Sequence, residues 1–233
     1  MSKLKSSRKR EVTRISDKIT SDEKLMEVIE EFLTRFHQKI NPSIDGKDIM
    51  KSTLGYSITR ASSKLPGAGD GVLLCAGHAK RGDIIALYPG TVYRRFEPVF
   101  LPSIGNPFVL RCLDGLHIDG NNRMLSKVIF KSCVGRDSEF PLRAADVTWL
   151  TKNPLLPWNV GQLVNNGNGV YSPNVAYQEV DLYNFPHSVS YLLPNIWYSG
   201  PQERHIRVVA LVALCDIYSG DEILSNYYTL VHV

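Results

Sequence analysis

The stretch Arg207 to Tyr228, RVVALVALCDIYSGDEILSNYY, decides how the rest of the chain is read. It opens on a continuous apolar run, turns at Gly220-Asp221-Glu222 and ends in a tyrosine pair. An apolar run bounded by a glycine-containing turn is the pattern of a buried strand entering a hairpin. Alone it carries no function. Three further pieces precede it in order: GAGDGV (Gly67 to Val72), YPG (Tyr88 to Gly90), and GQLVNN with PNVAY (Gly161 to Asn166, then Pro173 to Tyr177).

Working outward, 233 residues with 43% hydrophobic content suit one sizeable domain, or one domain with an extension. No segment approaches the run of about 18 apolar residues that a spanning helix needs. The first residues lack the apolar core of a secretory signal, so the expected location is intracellular, nuclear or cytoplasmic, with no membrane partner. The net charge of +4 is unevenly placed. Residues 1–20 hold seven Lys/Arg against Glu11 and Asp17, whereas the remainder carries 20 basic and 21 acidic residues. A nearly neutral body offers no broad phosphate-binding face. The basic tail fits a nuclear-import signal, a weak nucleic-acid contact or a solvated, disordered terminus. The four cysteines, Cys75, Cys112, Cys133 and Cys215, form no C-x-x-C pair, which argues against zinc and disulfides in an intracellular protein.

Ser21 is a natural N-cap, and Leu25, Val28, Ile29, Phe32, Leu33, Phe36 and Ile40 recur at helical spacing until Asn41-Pro42. An amphipathic helix is expected over 22–40, packed on the main domain or presented to a partner. From residue 54 the pattern changes to short apolar runs: Tyr56–Ile58, Val72–Leu74, Ile84–Tyr88, Phe108–Leu110, Val175–Val180 and Ile206–Leu214. Turn residues separate them, as in a β-rich domain. Between 112 and 158 the pattern is irregular and reads as an insertion, with a short helix over RAADVTWL. The expected division is a basic tail at 1–20, a helical extension at 21–50 and one domain at 51–230.

Gly67-Ala68-Gly69-Asp70-Gly71 fails the dinucleotide fingerprint, because Val72 stands where the third glycine belongs. A Rossmann-like methyltransferase loop would need a preceding apolar strand, a following helix and an acidic end to the next strand. Here Ser62-Ser63-Lys64 precedes, β-like residues follow, and IIALYPG ends in Tyr-Pro-Gly. An ordinary glycine hairpin turn remains open on the bare residues. So does a simple Asn/Gly turn for the stretch around Asn165 and Asn166.

Taken in order, the segments resemble the SET-domain protein methyltransferases over roughly Thr53 to Thr229. GTVY (Gly90 to Tyr93), IGNPF (Ile104 to Phe108), CLDG (Cys112 to Gly115) and SNYYT (Ser225 to Thr229) belong to the same resemblance. It implies an α+β, mostly β fold of several small curled sheets around a threaded C-terminal segment, plus the N-terminal helix. It also implies S-adenosylmethionine as cofactor, held by Gly69, Gly71, Asn165, Asn166 and Tyr227, with Tyr227 catalytic. Tyr88, Tyr177 and Tyr228 would line a channel for the lysine side chain of a protein substrate. Asn165 would fix the amino-acid end of the cofactor and Asn166 its adenine, largely through the backbone. Two departures stand out: Asn166 replaces the family's usual histidine, and Ser225 stands where many members have tyrosine. The cysteine-rich zinc modules that flank many members have no counterpart here, so no metal is expected. The other function class consistent with the departures is a binding or scaffold module that keeps the fold.

The implied chemistry fits the residue types. Transfer to an amine is an in-line displacement in which the protein supplies alignment. A lysine ammonium, with an ordinary pKa of about 10.4, has to lose a proton before it can attack. Aromatic walls that exclude water disfavour the charged form. Such chemistry needs neither a metal nor a Ser/His pair.

Overall fold

The computed structural model describes residues 18–41, 44–139, 143–167, 171–200 and 205–226. Helix α1 (Asp22–Lys39) starts where Ser21 accepts the Lys24 amide and stops at Ile40. Its stripe of Leu25, Ile29, Phe32, Leu33 and Phe36 is completely buried, so it is consumed inside the molecule. Phe32 meets Trp158 edge to face at 4.4 Å, and the Trp158 indole donates to the Ile84 carbonyl, which anchors the helix over the sheets. The packed region begins slightly before the helix. Thr20 is buried, receives a bond from the Gln178 amide, and donates from Oγ1 to the Gly82 carbonyl at 2.9 Å.

Helix α2 (Gly46–Leu54) is capped by Asp45 and closed by Gly55 in the left-handed region. It runs past residue 50 directly into strand β1 (Tyr56–Ser62), so helix and strand meet without a linker. In chain order the remaining strands are β2 (Asp70–Ala79), β3 (Ile84–Leu87), β4 (Gly90–Tyr93), β5 (Val109–Arg111), β6 (His117–Asp119), β7 (Asn165–Asn166), β8 (Val175–Tyr183), β9 (Asn195–Trp197), β10 (His205–Ala213), β11 (Ile217–Tyr218) and β12 (Leu224–Ser225). Three more helices are α3 (Phe100–Ser103), α4 (Met124–Asp137) and α5 (His187–Ser190).

The strands form four small sheets, ordered β1-β2-β11, β3-β10-β8, β12-β7 and β5-β6-β4-β9. The apolar run that opened the sequence reading is β10, buried throughout its second half and paired antiparallel with β8 from His205↔Tyr183 to Ala213↔Val175. After β11 the chain is threaded. The Leu74 amide donates to the Asp221 carbonyl and the Ile223 amide to the Val72 carbonyl, both along β2. β12 then pairs in parallel with β7. The α+β, mostly β architecture and the threaded C-terminal segment expected from the sequence are both present.

The region 112–158, read from the sequence as an insertion, contains an unforeseen 14-residue helix, α4. Phe130, Cys133 and Val134 face a second core with Trp149, whose ring meets Phe130 at 5.0 Å. Of the expected helix over RAADVTWL, a single 3₁₀ turn at Thr148–Leu150 forms. No helix among the described residues is long and apolar enough to cross a membrane.

Candidate functional site

The site is built around a carboxylate. Glu222 follows the Gly220 turn, where φ of +98° favours glycine, and its backbone bridges to Leu73 on β2. Only 6% exposed, it needs partners, since a buried charge is costly unless hydrogen-bonded. Oε1 accepts from Ser63 Oγ at 2.6 Å and from Asn165 Nδ2 at 3.3 Å, and Oε2 accepts the Lys64 amide at 2.7 Å. One side chain thus joins the glycine hairpin, the Asn165 strand and the C-terminal segment.

The hairpin glycines have different tasks. Gly69 has a φ of +73° and no described residue within 4 Å of where a Cβ would sit. The turn requires its backbone conformation, and the described residues leave the space beside it open. At Gly71 a Cβ would lie 2.5 Å from Glu222 Oε1 and 3.1 Å from Asn165 Nδ2. The lack of a side chain there makes room for the carboxylate–amide pair, a reason the sequence did not disclose.

Asn165 also donates to the Asp70 carbonyl at 3.0 Å, so its amide is fixed from two sides. The neighbouring Asn166 has a buried Oδ1 with no partner among the described residues. Asn174, of the Pro-Asn pair, pins the threaded segment. It donates from Nδ2 to the Glu222 carbonyl, and its Oδ1 and backbone pair with Leu224, all at 2.8–2.9 Å.

Ser225, one of the two departures, is fully buried. Its Oγ lies 3.1 Å from the Tyr177 hydroxyl and 3.4 Å from the Asn165 carbonyl. Tyr177 in turn meets Tyr88 edge to face, with centroids 6.0 Å apart. The Tyr88 hydroxyl donates to the Phe108 carbonyl at 2.8 Å. Tyr88 and Tyr177, two of the three expected channel tyrosines, are therefore neighbours and have their hydroxyls held internally. Tyr227 and Tyr228 lie outside the described residues, two and three positions beyond Ser225.

Gly71, Asn165, Tyr88 and Tyr177 are thus tied into one continuous set of contacts. Sequence reasoning missed the central part of Glu222 and the contributions of Ser63 and Lys64. A lone acid inside the buried run EILS was the available signal. A separate cleft of about 640 Å³, with Arg143, Phe185, His187, Trp197 and His205 on its walls, includes none of the expected site residues.

Among the described residues one group has metal-like spacing: Cys112, Asp114 and Glu179. Its cationic position is filled by Arg207, which donates to Asp114 at 2.7 Å, to Glu179 at 3.2 Å and to Asp181 at 2.6 Å. Burial pushes the Cys112 thiol up to about 12, so no thiolate is on offer near neutral pH. The cluster is an ion-pair network joining β8, β10 and the turn before β6.

SET domain-containing protein 9 of Pongo abelii is 48% identical over 186 residues, covering 79% of this chain and 68% of that protein. The Homo sapiens protein of the same name is 48% identical over 186 residues, covering 79% of this chain and 62% of its own length, less than two thirds. Among solved structures, one titled "ctPRC2 in an autoinhibited conformation bound to S-adenosylmethionine" is 13% identical with a TM-score of 0.40, covering 74% of this chain and 15% of that one. No protein-family model matches.

Proposed function

The chain belongs to the SET-domain family, and on that premise we propose that it is an S-adenosylmethionine-dependent protein-lysine N-methyltransferase. The observation that carries the reading is the position of Ser225. Its buried hydroxyl touches both the Asn165 carbonyl and the Tyr177 hydroxyl. The residues proposed for cofactor and for lysine therefore converge on one atom, two residues before the proposed catalytic Tyr227.

The residues present fit the cofactor. Among the described residues, the open space beside Gly69 and the Asn166 Oδ1 without a partner leave room and an acceptor for a polar ligand. Gly69, Gly71, Asn165, Asn166 and Tyr227 would hold it, and when bound it supplies an electrophilic methyl group on a sulfonium. Glu222 fixes the Asn165 amide from below, which removes the ordering cost from the binding step. Tyr88 and Tyr177 exclude water from the approaching lysine, and loss of hydration favours its neutral, nucleophilic amine. Tyr227 would orient that amine, and Tyr228 would extend the aromatic wall.

Titration calorimetry with S-adenosylmethionine tests the cofactor half. Binding by the wild type and at least tenfold weaker binding by Asn165→Ala are expected; equal affinity overturns the assignment. A peptide array with labelled cofactor tests lysine transfer.

A second reading, a protein-binding module of SET fold, draws on Asn166 and Ser225 in place of the more usual side chains. It is favoured if a saturating excess of cofactor leaves the melting temperature unchanged, because any ligand of the folded state raises it by mass action.

A further inference from the structure

Tyr88 stands where the chain crosses between two sheets. β3 ends at Leu87 in the sheet β3-β10-β8, and β4 begins at Gly90 in the sheet β5-β6-β4-β9. Pro89 between them has no N–H to give to either ladder. The Tyr88 amide still donates to the Val209 carbonyl at 2.8 Å, and the Gly90 amide donates to the Pro194 carbonyl at 3.0 Å. Tyr88 is buried at this break, so its carbonyl needs a donor. Asn195, the first residue of β9, supplies it from its side chain, with Nδ2 donating at 3.0 Å.

The ring end of Tyr88 is fixed separately. The Phe108 carbonyl that accepts the Tyr88 hydroxyl also accepts the Gly120 amide at 2.9 Å, and the Phe108 amide donates to Asn106 Oδ1 at 3.0 Å. A Cβ on Gly120 would lie 2.8 Å from Tyr88 Cε1, so the ring rests directly on the backbone there. With the ring end anchored, the main chain at Tyr88 sets how the ring stands. Asn195 holds that main chain at a cost. It is 3% exposed, and its Oδ1 has no partner among the described residues. A buried acceptor left unpaired opposes folding. A leucine of similar bulk would remove that acceptor and strand the Tyr88 carbonyl instead, so the two penalties offset. What the asparagine alone supplies is a fixed Tyr88 carbonyl, and a buried polar group of so little net benefit to folding calls for another task.

Resting on the reading that Tyr88 lines the lysine channel, we propose that Asn195 is a positioning residue for methyl transfer: its amide fixes the Tyr88 main chain, and through it the wall against which the lysine side chain is aligned. It acts through Tyr88 and needs no contact with cofactor or lysine. Displacing such a wall lowers the rate through misalignment of the amine, with the cofactor contacts kept.

The test uses the full chain, titration calorimetry with S-adenosylmethionine, and steady-state kinetics on the array peptide that the wild type labels most strongly. Asn195→Leu keeps the bulk, removes the unpaired Oδ1 and strands the Tyr88 carbonyl. It is expected to melt within a few degrees of the wild type, to bind the cofactor within about twofold, and to lose roughly tenfold or more in kcat/KM for the peptide. Asn195→Asp gives a carboxyl that donates to the Tyr88 carbonyl only when protonated, and burial raises the pKa of such a group. Its turnover relative to the wild type should therefore rise as the pH falls, whereas the ratio for Asn195→Leu should stay flat. Undiminished kcat/KM in folded Asn195→Leu, or a loss of cofactor affinity as large as the loss of turnover, overturns the proposal. If Asn195→Leu does not fold, an Asn195→Asp ratio that ignores pH overturns it. A wild type that binds no cofactor and labels no peptide removes the enzyme reading and this role with it. An active wild type matched by both variants removes this role alone.

Discussion

Glu222 and Asn165 are hydrogen-bonded across 3.3 Å although 57 residues separate them in the chain. Their pairing holds the glycine hairpin, β7 and the threaded segment in one arrangement, and the absence of a side chain at Gly71 makes it sterically allowed.

Glu222→Ala should therefore destabilise the protein by about 1–3 kcal/mol, the cost of stranding buried donors such as Ser63 Oγ and the Lys64 amide. Chemical denaturation measures this. Cofactor affinity should fall in parallel, since Asn165 loses one of its two anchors. A stability loss below about 0.5 kcal/mol, the range of an ordinary surface substitution, would remove Glu222 from the centre of the site.

The two hairpin glycines should separate by experiment. Gly71→Ala places a methyl carbon 2.5 Å from the Glu222 carboxylate and should abolish cofactor binding measured by calorimetry. Gly69→Ala meets no described residue within 4 Å but has to adopt φ +73°. Its expected effect is a stability loss of about 1–2 kcal/mol with much of the binding kept. The reverse ranking would contradict the division of tasks.

Truncation should show where the packed region begins. Removal of residues 1–17 is expected to leave the melting temperature within a degree or two, as suits a charge-rich, weakly apolar segment. Extending the deletion through Thr20 should lower it by several degrees, because the Gln178 side chain and the Gly82 carbonyl lose their bonds to Thr20. A large drop on the shorter deletion would show that the basic tail packs.

The parts legible in the sequence share a physical basis: they are local. Ser21 and the 3.6-residue stripe specified α1, and the apolar runs near Tyr56, Val72, Ile84, Val175 and Ile206 each became a strand. Helix α4 was hidden because Phe130 and Cys133 face inward while Met124 and Val128 face outward, so apolar residues fall on both sides and periodicity cancels. Helix α2 was obscured by its short length and by Gly46, although Asp45 was a usable cap signal. Glu222 was quoted within its motif, yet its role depends on Ser63 and Lys64, more than 150 residues earlier, and no local pattern encodes that meeting.

The most direct test of the central claim is turnover by the wild type and Tyr227→Phe, with labelled S-adenosylmethionine on an array of lysine peptides. Removing one hydroxyl keeps the ring, so folding and cofactor affinity should stay close to those of the wild type. Turnover should drop by about 10²-fold or more, as expected when a polar group aligned with the reacting atoms is lost from a dry site. Undiminished turnover in Tyr227→Phe would contradict the catalytic assignment, and a wild type that neither binds the cofactor nor labels any peptide would contradict the enzyme itself.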